Sequence, residues 1–182
     1  MAKSSGGVRN YRNKPSTLST RRKKYEYYIR RRDYDAERSY FDASGGYVVT
    51  HKLHKNITDV TKDKSDVAAL FLAQKGFKVY LGKEISKISR ERTKDGRIYE
   101  SPMDIKTINT TGKYTIHSAL KDAASQKAKT VVLFQGTKDM TRQYVESQIE
   151  FFKGNASKVA RRRIEWVIVV GQSGNIHRHK LK

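Results

Sequence analysis

Thr93-Lys94-Asp95-Gly96-Arg97-Ile98-Tyr99-Glu100-Ser101-Pro102-Met103-Asp104-Ile105-Lys106-Thr107-Ile108 is the stretch from which the fold is read. Residues 97–99 and 103–108 have the composition of two short strands, joined by Glu100-Ser101-Pro102, with the proline at the joint where its missing N–H does no harm. Side chains two apart on a strand share a face, so Asp104 and Lys106 project together while Met103, Ile105 and Thr107 point the other way. Asp95, just before the first strand, can sit across from that pair. Two carboxylates suit a hard cation such as Mg²⁺, and a lysine beside them can stabilise charge on a phosphodiester.

Periodicity on either side supplies the neighbouring elements. Upstream, Ser65 is a fitting N-cap, Asp66 a favourable first-turn acid and Gly76 a C′ glycine, which predicts a helix over 66–75. Phe77, Val79 and Leu81 alternate with Lys78 and Tyr80, the pattern of a half-buried strand. Residues 82–94 are charged and irregular and read as a loop. Downstream, Ile116, Ala119, Leu120, Ala123 and Ala124 carry helical spacing over 115–127, and the apolar run 130–134 suits a central strand. The order is helix, strand, strand, strand, helix, strand. A further helix over about 141–153, a basic turn at 158–163 and strands at 164–170 and 176–180 follow, the last two flanking the turn Gln172-Ser173-Gly174-Asn175. The expected fold is α/β (α+β), a mixed central sheet with an αβββαβ core flanked by helices.

Charge points to the partner. The 182 residues carry 39 Lys+Arg against 18 Asp+Glu, a net charge of +21, so a polyanion, nucleic acid above all, is the expected partner. No apolar run approaches the roughly 20 residues that span a bilayer, and the first ten residues lack the apolar core of a signal peptide. The absence of cysteine removes disulfides and thiolate chemistry, and a cytoplasmic setting is the simplest expectation.

The chain changes character near Gly45-Gly46, giving an expected basic arm over 1–46 and an α/β domain over 47–182. The arm holds 12 Lys+Arg, 5 Asp+Glu and six tyrosines but few aliphatic side chains. Residues 1–15 read as disordered in isolation, and 17–40 as a basic helix with Leu18, Tyr25, Tyr28 and Ile29 along one side. Arg21, Arg22, Lys23 and Lys24, then Arg30, Arg31 and Arg32, interleave with tyrosines in a way that suits phosphate contact and base stacking. A solvated charge run, or a docking arm for another protein, fits the same residues.

The element order, with an acid entering the second strand and acid-x-lysine on the third, resembles the PD-(D/E)xK nuclease superfamily. Within it, Asp66-Val67-Ala68, Gly76-Phe77-Lys78-Val79, Lys94-Asp95-Gly96, Asp104-Ile105-Lys106-Thr107, residues 116–126 and Val131-Val132-Leu133 are similar to the C-terminal tRNase domain of CdiA-type contact-dependent toxins. Similar domains end the minor head proteins of phages and mobile elements, and Gly45-Gly46-Tyr47 with His51 resembles their lead-in. The resemblance spans about residues 45–180. It implies Asp95 and Asp104 as ligands of Mg²⁺ or Mn²⁺, Lys106 as the catalytic lysine and Asp66 as the helix acid completing the metal site. Gln126 would lie near the substrate, with Lys94, Arg97 and Lys121 as further substrate contacts. An immunity protein or other virion proteins are the partners it implies besides RNA or DNA, and packaging in a virion the alternative setting. Lys94 stands where the motif has proline, Asp104 where glutamate is commoner, and Asp66 is shorter than the usual glutamate.

Other roles are open to the same residues. Asp95-Gly96 is an ordinary turn pair, Asp104 and Lys106 could form a solvated strand face, and Glu84 or Glu91 could supply a third carboxylate. A metal-independent ribonuclease would use a histidine as general acid or base, with His51, His54, His117, His177 and His179 available. A non-catalytic virion protein binding genome through phosphates would need the charge and no active site at all.

Overall fold

The computed structural model describes residues 15–54, 65–83 and 96–182. Its elements run α1 (Pro15–Ile29), β1 (Tyr34–Phe41), β2 (Tyr47–His51), α2 (Ser65–Gln74), β3 (Lys78–Leu81), β4 (Gly96–Ile98), β5 (Ser101–Ile108), α3 (Thr115–Ser125), β6 (Thr130–Gln135), α4 (Arg142–Asn155), α5 (Lys158–Arg163), β7 (Trp166–Val170) and β8 (Ile176–Lys180). The stretch α2-β3-β4-β5-α3-β6 is the expected core order. All eight strands form one mixed sheet in sequence order. β2 and β3, β5 and β6, and β6 and β7 pair in parallel, and the other neighbours are antiparallel.

The two faces of the sheet bury different helices. α2 lays Ala68, Leu72 and Ala73 on Val79, Met103 and Ile105. On the opposite face, Ile116 and Leu120 of α3 and Val145 and Phe152 of α4 pack with Ile108, Val131 and Leu133. Each large aliphatic side chain so buried contributes about 1.5–3 kcal/mol. The helix ends obey local chemistry. Thr141 accepts a hydrogen bond from the Tyr144 N–H at 3.2 Å and Ser157 from the Ala160 N–H at 3.2 Å, while Gly76 ends α2 at φ +82°, a conformation that favours glycine.

Several boundaries differ from expectation. The basic helix stops at Ile29, and residues 34–41 form a strand instead. That strand is joined to β2 by the turn in which the Asp42 N–H bonds the Gly46 carbonyl at 2.8 Å, so the change of composition near Gly45 falls inside a hairpin of the sheet. β3 is covered on both faces rather than one, because Tyr80 is buried with Tyr47 and Val49 beneath Tyr25 and Tyr28. The β4–β5 turn is Tyr99-Glu100, with Tyr99 at φ +52°, and Pro102 lies within β5 opposite Arg97. Ile164 caps α5, and the basic turn is that short helix. Most of the charged stretch 82–94 lies outside the described residues.

Candidate active site

β5 sets the first two side chains. Its alternation sends Met103 and Ile105 into the α2 core, so Asp104 and Lys106 face α3. Lys106 Nζ stands 3.0 Å from Asp104 Oδ2 and 2.8 Å from Asp122 Oδ2. Asp122 comes from α3, where Gln126, one helical turn on, donates Nε2–H to Asp122 Oδ2 at 3.0 Å. Asp104 is almost wholly buried, its side chain 1 % exposed, and Lys106 is 24 % exposed. A carboxylate that deep requires compensating charge and hydrogen bonds. Burial pulls the Lys106 ammonium toward losing its proton, but the Asp104 charge and hydrogen bonds to Asp122 and Asp104 outweigh it, and its pKa rises above the ordinary lysine value.

Asp104, Lys106, Asp122 and Gln126 therefore form one group. Asp122 is the member not expected from sequence, although its signal was present: it lies four residues before Gln126, on the same helical face. Asp95 and Lys94 lie outside the described residues, as do Glu84 and Glu91. Gly96, the residue bonded to Asp95, pairs with Met103, the residue bonded to Asp104. Asp66 is not brought to this group. α2 covers the other face of β5, and Asp66 Oδ2 is held by Arg38 Nη2 at 2.9 Å and Nε at 3.2 Å. A charged partner on β1 takes the role expected of a metal.

Arg97 shares the face of Asp104, since it pairs with Pro102 two residues before it. Its guanidinium lies 5.0 Å from the Tyr80 ring centroid. Lys121 is exposed on α3 next to Asp122. Of the basic segment, Arg21 donates to the Gly45 and Gly76 carbonyls at 3.1 and 3.2 Å, and Lys24 pairs with Glu100 at 3.2 Å. Arg22 stacks 4.3 Å over Phe41, Arg31 pairs with Asp33 at 2.9 Å and Arg30 with Glu26 at 3.8 Å. Lys23 and Arg32 are exposed. Tyr25, Tyr28 and Tyr34 pack against the sheet, where the expectation had them stacking on bases. Tyr27 and Tyr40 are exposed.

The histidines do not form a general acid–base pair with Lys106. His117 is 8 % exposed, its ring 5.0 Å from Phe151 and 5.9 Å from Phe152. His54 is buried with Nδ1 2.9 Å from the Gly82 carbonyl, His51 accepts from the Leu53 N–H at 3.0 Å, and His177 and His179 stand on β8. Among the described residues no three His, Asp or Glu side chains converge as a metal cluster. A hard cation of the Mg²⁺ kind needs only one or two carboxylates and keeps its waters. Asp104 and Asp122, gathered on one point of positive charge, are a donor pair that fits it.

No protein-family model matches this sequence, and no curated protein matches it. A solved structure does. One chain of the CdiA-CT/CdiI toxin and immunity complex from Burkholderia pseudomallei superposes with a TM-score of 0.55 at 18 % identity, over 73 % of this chain and 98 % of that one. The likeness is one of fold. The fold is thus one that this chain shares with a chain of that complex. Among the described residues, no helix is long and apolar enough to cross a membrane.

Proposed function

We propose that the protein is a metal-dependent endonuclease of the toxin type, acting on RNA, tRNA in particular, or on DNA. The observation that carries this is the buried Asp104 sharing Lys106 with Asp122 on the strand where the sequence places acid-x-lysine. The fold likeness to a chain of a toxin complex supports it, as does the charge of +21.

Asp104 and Asp122 would hold Mg²⁺ or Mn²⁺, with Asp95 as the further carboxylate. The ion, when bound, supplies Lewis-acid stabilisation of the phosphoryl group and lowers the pKa of a bound water. The chain's own residues do the rest. Lys106, kept protonated and aimed by two carboxylates, donates to the phosphate oxygens as their negative charge grows, a contribution worth about 3 kcal/mol for one well-placed donor. Gln126 fixes Asp122, and through it the ammonium. Arg97 and Lys121, on either side of the group, attract the flanking phosphates. An immunity protein that silences the toxin, and carriage in a virion, belong to this reading as its partner and its setting.

Purified chain incubated with tRNA, single-stranded RNA and duplex DNA, with and without Mg²⁺, tests the proposal. Fragments that require the ion and disappear in Asp104→Asn, with binding retained, are expected. Cutting that survives chelator would transfer the chemistry to a histidine. Salt-sensitive binding with no cutting would leave a non-catalytic nucleic-acid-binding protein.

A further inference from the structure

A second cationic group stands on the Asp104 face, beyond Arg97. Lys78 pairs across the sheet with Tyr47 and Tyr80 with Arg97, which puts Lys78, Tyr80 and Arg97 on one face. α1 brings Arg21 and Lys24 over it. Lys24 Nζ lies 5.8 Å and the Arg97 guanidinium 5.0 Å from the Tyr80 ring, and Lys78 Nζ lies 5.4 Å from the Tyr99 ring. One acid serves Lys24, Arg97 and Lys78. Glu100 Oε1 accepts from Lys24 at 3.2 Å and its Oε2 faces Arg97 at 3.4 Å, and its charge also acts on Lys78. Three cations therefore share one carboxylate that is 67 % exposed, and Arg21 adds its charge at Lys78.

The excess of positive charge is felt inside the group. Burial, then the charges of Arg21 and Lys24, push the Lys78 pKa below the ordinary lysine value. Arg21 is tethered beside it by hydrogen bonds from Nη1 to two backbone carbonyls. A group of fixed like charges beside aromatic faces gains when an anion with several acceptor oxygens enters it. Arg97 is the member closest to Asp104, one strand across and two residues back, and strands lie about 4.8 Å apart with about 3.3 Å per residue.

We propose that Arg21, Lys24, Lys78 and Arg97 form a phosphate-binding station, with Glu100 as a counter-ion that the phosphate displaces, and that it seats the nucleic-acid backbone leading to Asp104 and Lys106. The station rests on the proposed nuclease function for its ligand, but its occupancy does not depend on cutting. Glu100 lowers affinity at rest, so an incoming polyanion must win Lys24 and Arg97 from it.

The test is anisotropy of a labelled 20-nucleotide single-stranded RNA with the full chain in EDTA, across a salt series. K78Q/R97Q is compared with K158Q/R162Q, which removes two exposed charges from α5. Each lost single-strand phosphate contact reduces the slope of log K against log salt by about 0.7. A slope reduced by about 1.4 and a roughly tenfold weaker affinity are expected for K78Q/R97Q, at most half of that for the control pair. E100Q is expected to tighten binding several-fold where E150Q, which removes another exposed acid, does not. Equal losses in the two double variants, or equal responses to E100Q and E150Q, would overturn the station. So would a poly-glutamate peptide that binds through Lys78 and Arg97 while RNA does not. Because binding is read without the metal, absence of cleavage would count against the nuclease proposal alone.

Discussion

Lys106 joins two acids that would otherwise repel each other, and one of them is out of solvent. Removing the ammonium in Lys106→Met leaves Asp104 with a buried charge that has lost its cation, at a cost of about 3 kcal/mol, which lowers the melting temperature by roughly 6–12 °C for a chain of this size. Millimolar Mg²⁺ is expected to recover more of that loss in Lys106→Met than it adds to the wild type, because the ion replaces the missing charge. Equal responses to Mg²⁺ in a thermal-melt series would speak against a cation site at Asp104 and Asp122. Asp122→Ala keeps Asp104 beside Lys106 but removes one of the two carboxylates proposed to hold the ion as well as one hold on the ammonium, so kcat is expected to fall at least about a hundredfold and what cutting is left to need more Mg²⁺ than the wild type does, read by titrating the ion against cleavage rate. His117 gives a pH effect of separate origin. Burial, then the charge of Lys121, hold its pKa below the ordinary 6.5, and its Nδ1 has no hydrogen-bond partner among the described residues. Protonation is therefore disfavoured in the folded chain. The stability linked to this group is complete above pH 6.5 and is lost as pH falls below it toward the depressed pKa. Melting temperatures measured from pH 7.5 to 5 should decline less steeply in His117→Phe than in the wild type.

α1 is where sequence and structure part most. Its tyrosines are bound to the sheet by edge contacts, Tyr28 lying 5.0 Å from Tyr34 and 5.2 Å from Tyr80, and it roofs Tyr47, Val49 and Tyr80. Tyr28→Ala is expected to cost about 2–3 kcal/mol, and deletion of residues 1–30 to give a chain that aggregates as that aromatic surface is uncovered. A soluble truncation with an unchanged melting temperature would restore the picture of an independent arm. The elements α2, α3, α4 and β6 were legible because each closes on local information: a cap, a 3.6-residue apolar repeat or a continuous apolar run. β1 was not. Tyr34-Asp35-Ala36-Glu37-Arg38-Ser39-Tyr40-Phe41 contains good helix formers, and only its pairing with β2 and the rings beneath α1 make it a strand. The same limit explains Asp66, a fitting first-turn acid whose partner Arg38 sits on that unrecognised strand. That Asp104 and Lys106 share a face of β5 followed from period two, and their candidacy as a site from the strand order, whereas Asp122 reaches them only through the packing of α3.

At the scale of the whole molecule, the residues of the proposed chemistry lie on one face of the sheet. α1 covers β1 and β2 and reaches Tyr80, α3 rises over β5, and between them Lys78, Arg97, Asp104 and Lys106 follow one another across β3, β4 and β5. The spacing of that floor depends on Gly96. A Cβ there would come within 1.8 Å of the Tyr80 carbonyl oxygen, so Gly96→Ala is expected to separate β3 from β4 and yield little soluble protein, read by expression and circular dichroism. The charge of +21 should make association with any nucleic acid fast and strongly salt-dependent, a property that binding alone can satisfy. Cleavage is the sharper question. Wild-type protein and Asp104→Asn, each incubated with tRNA in Mg²⁺ and in EDTA and resolved on a denaturing gel, test it most directly. Discrete fragments from the wild type in Mg²⁺ only are expected, whereas equal cutting in EDTA, undiminished cutting by Asp104→Asn, or intact tRNA throughout together with intact single-stranded RNA and duplex DNA would contradict a metal-dependent site at Asp104, Lys106 and Asp122.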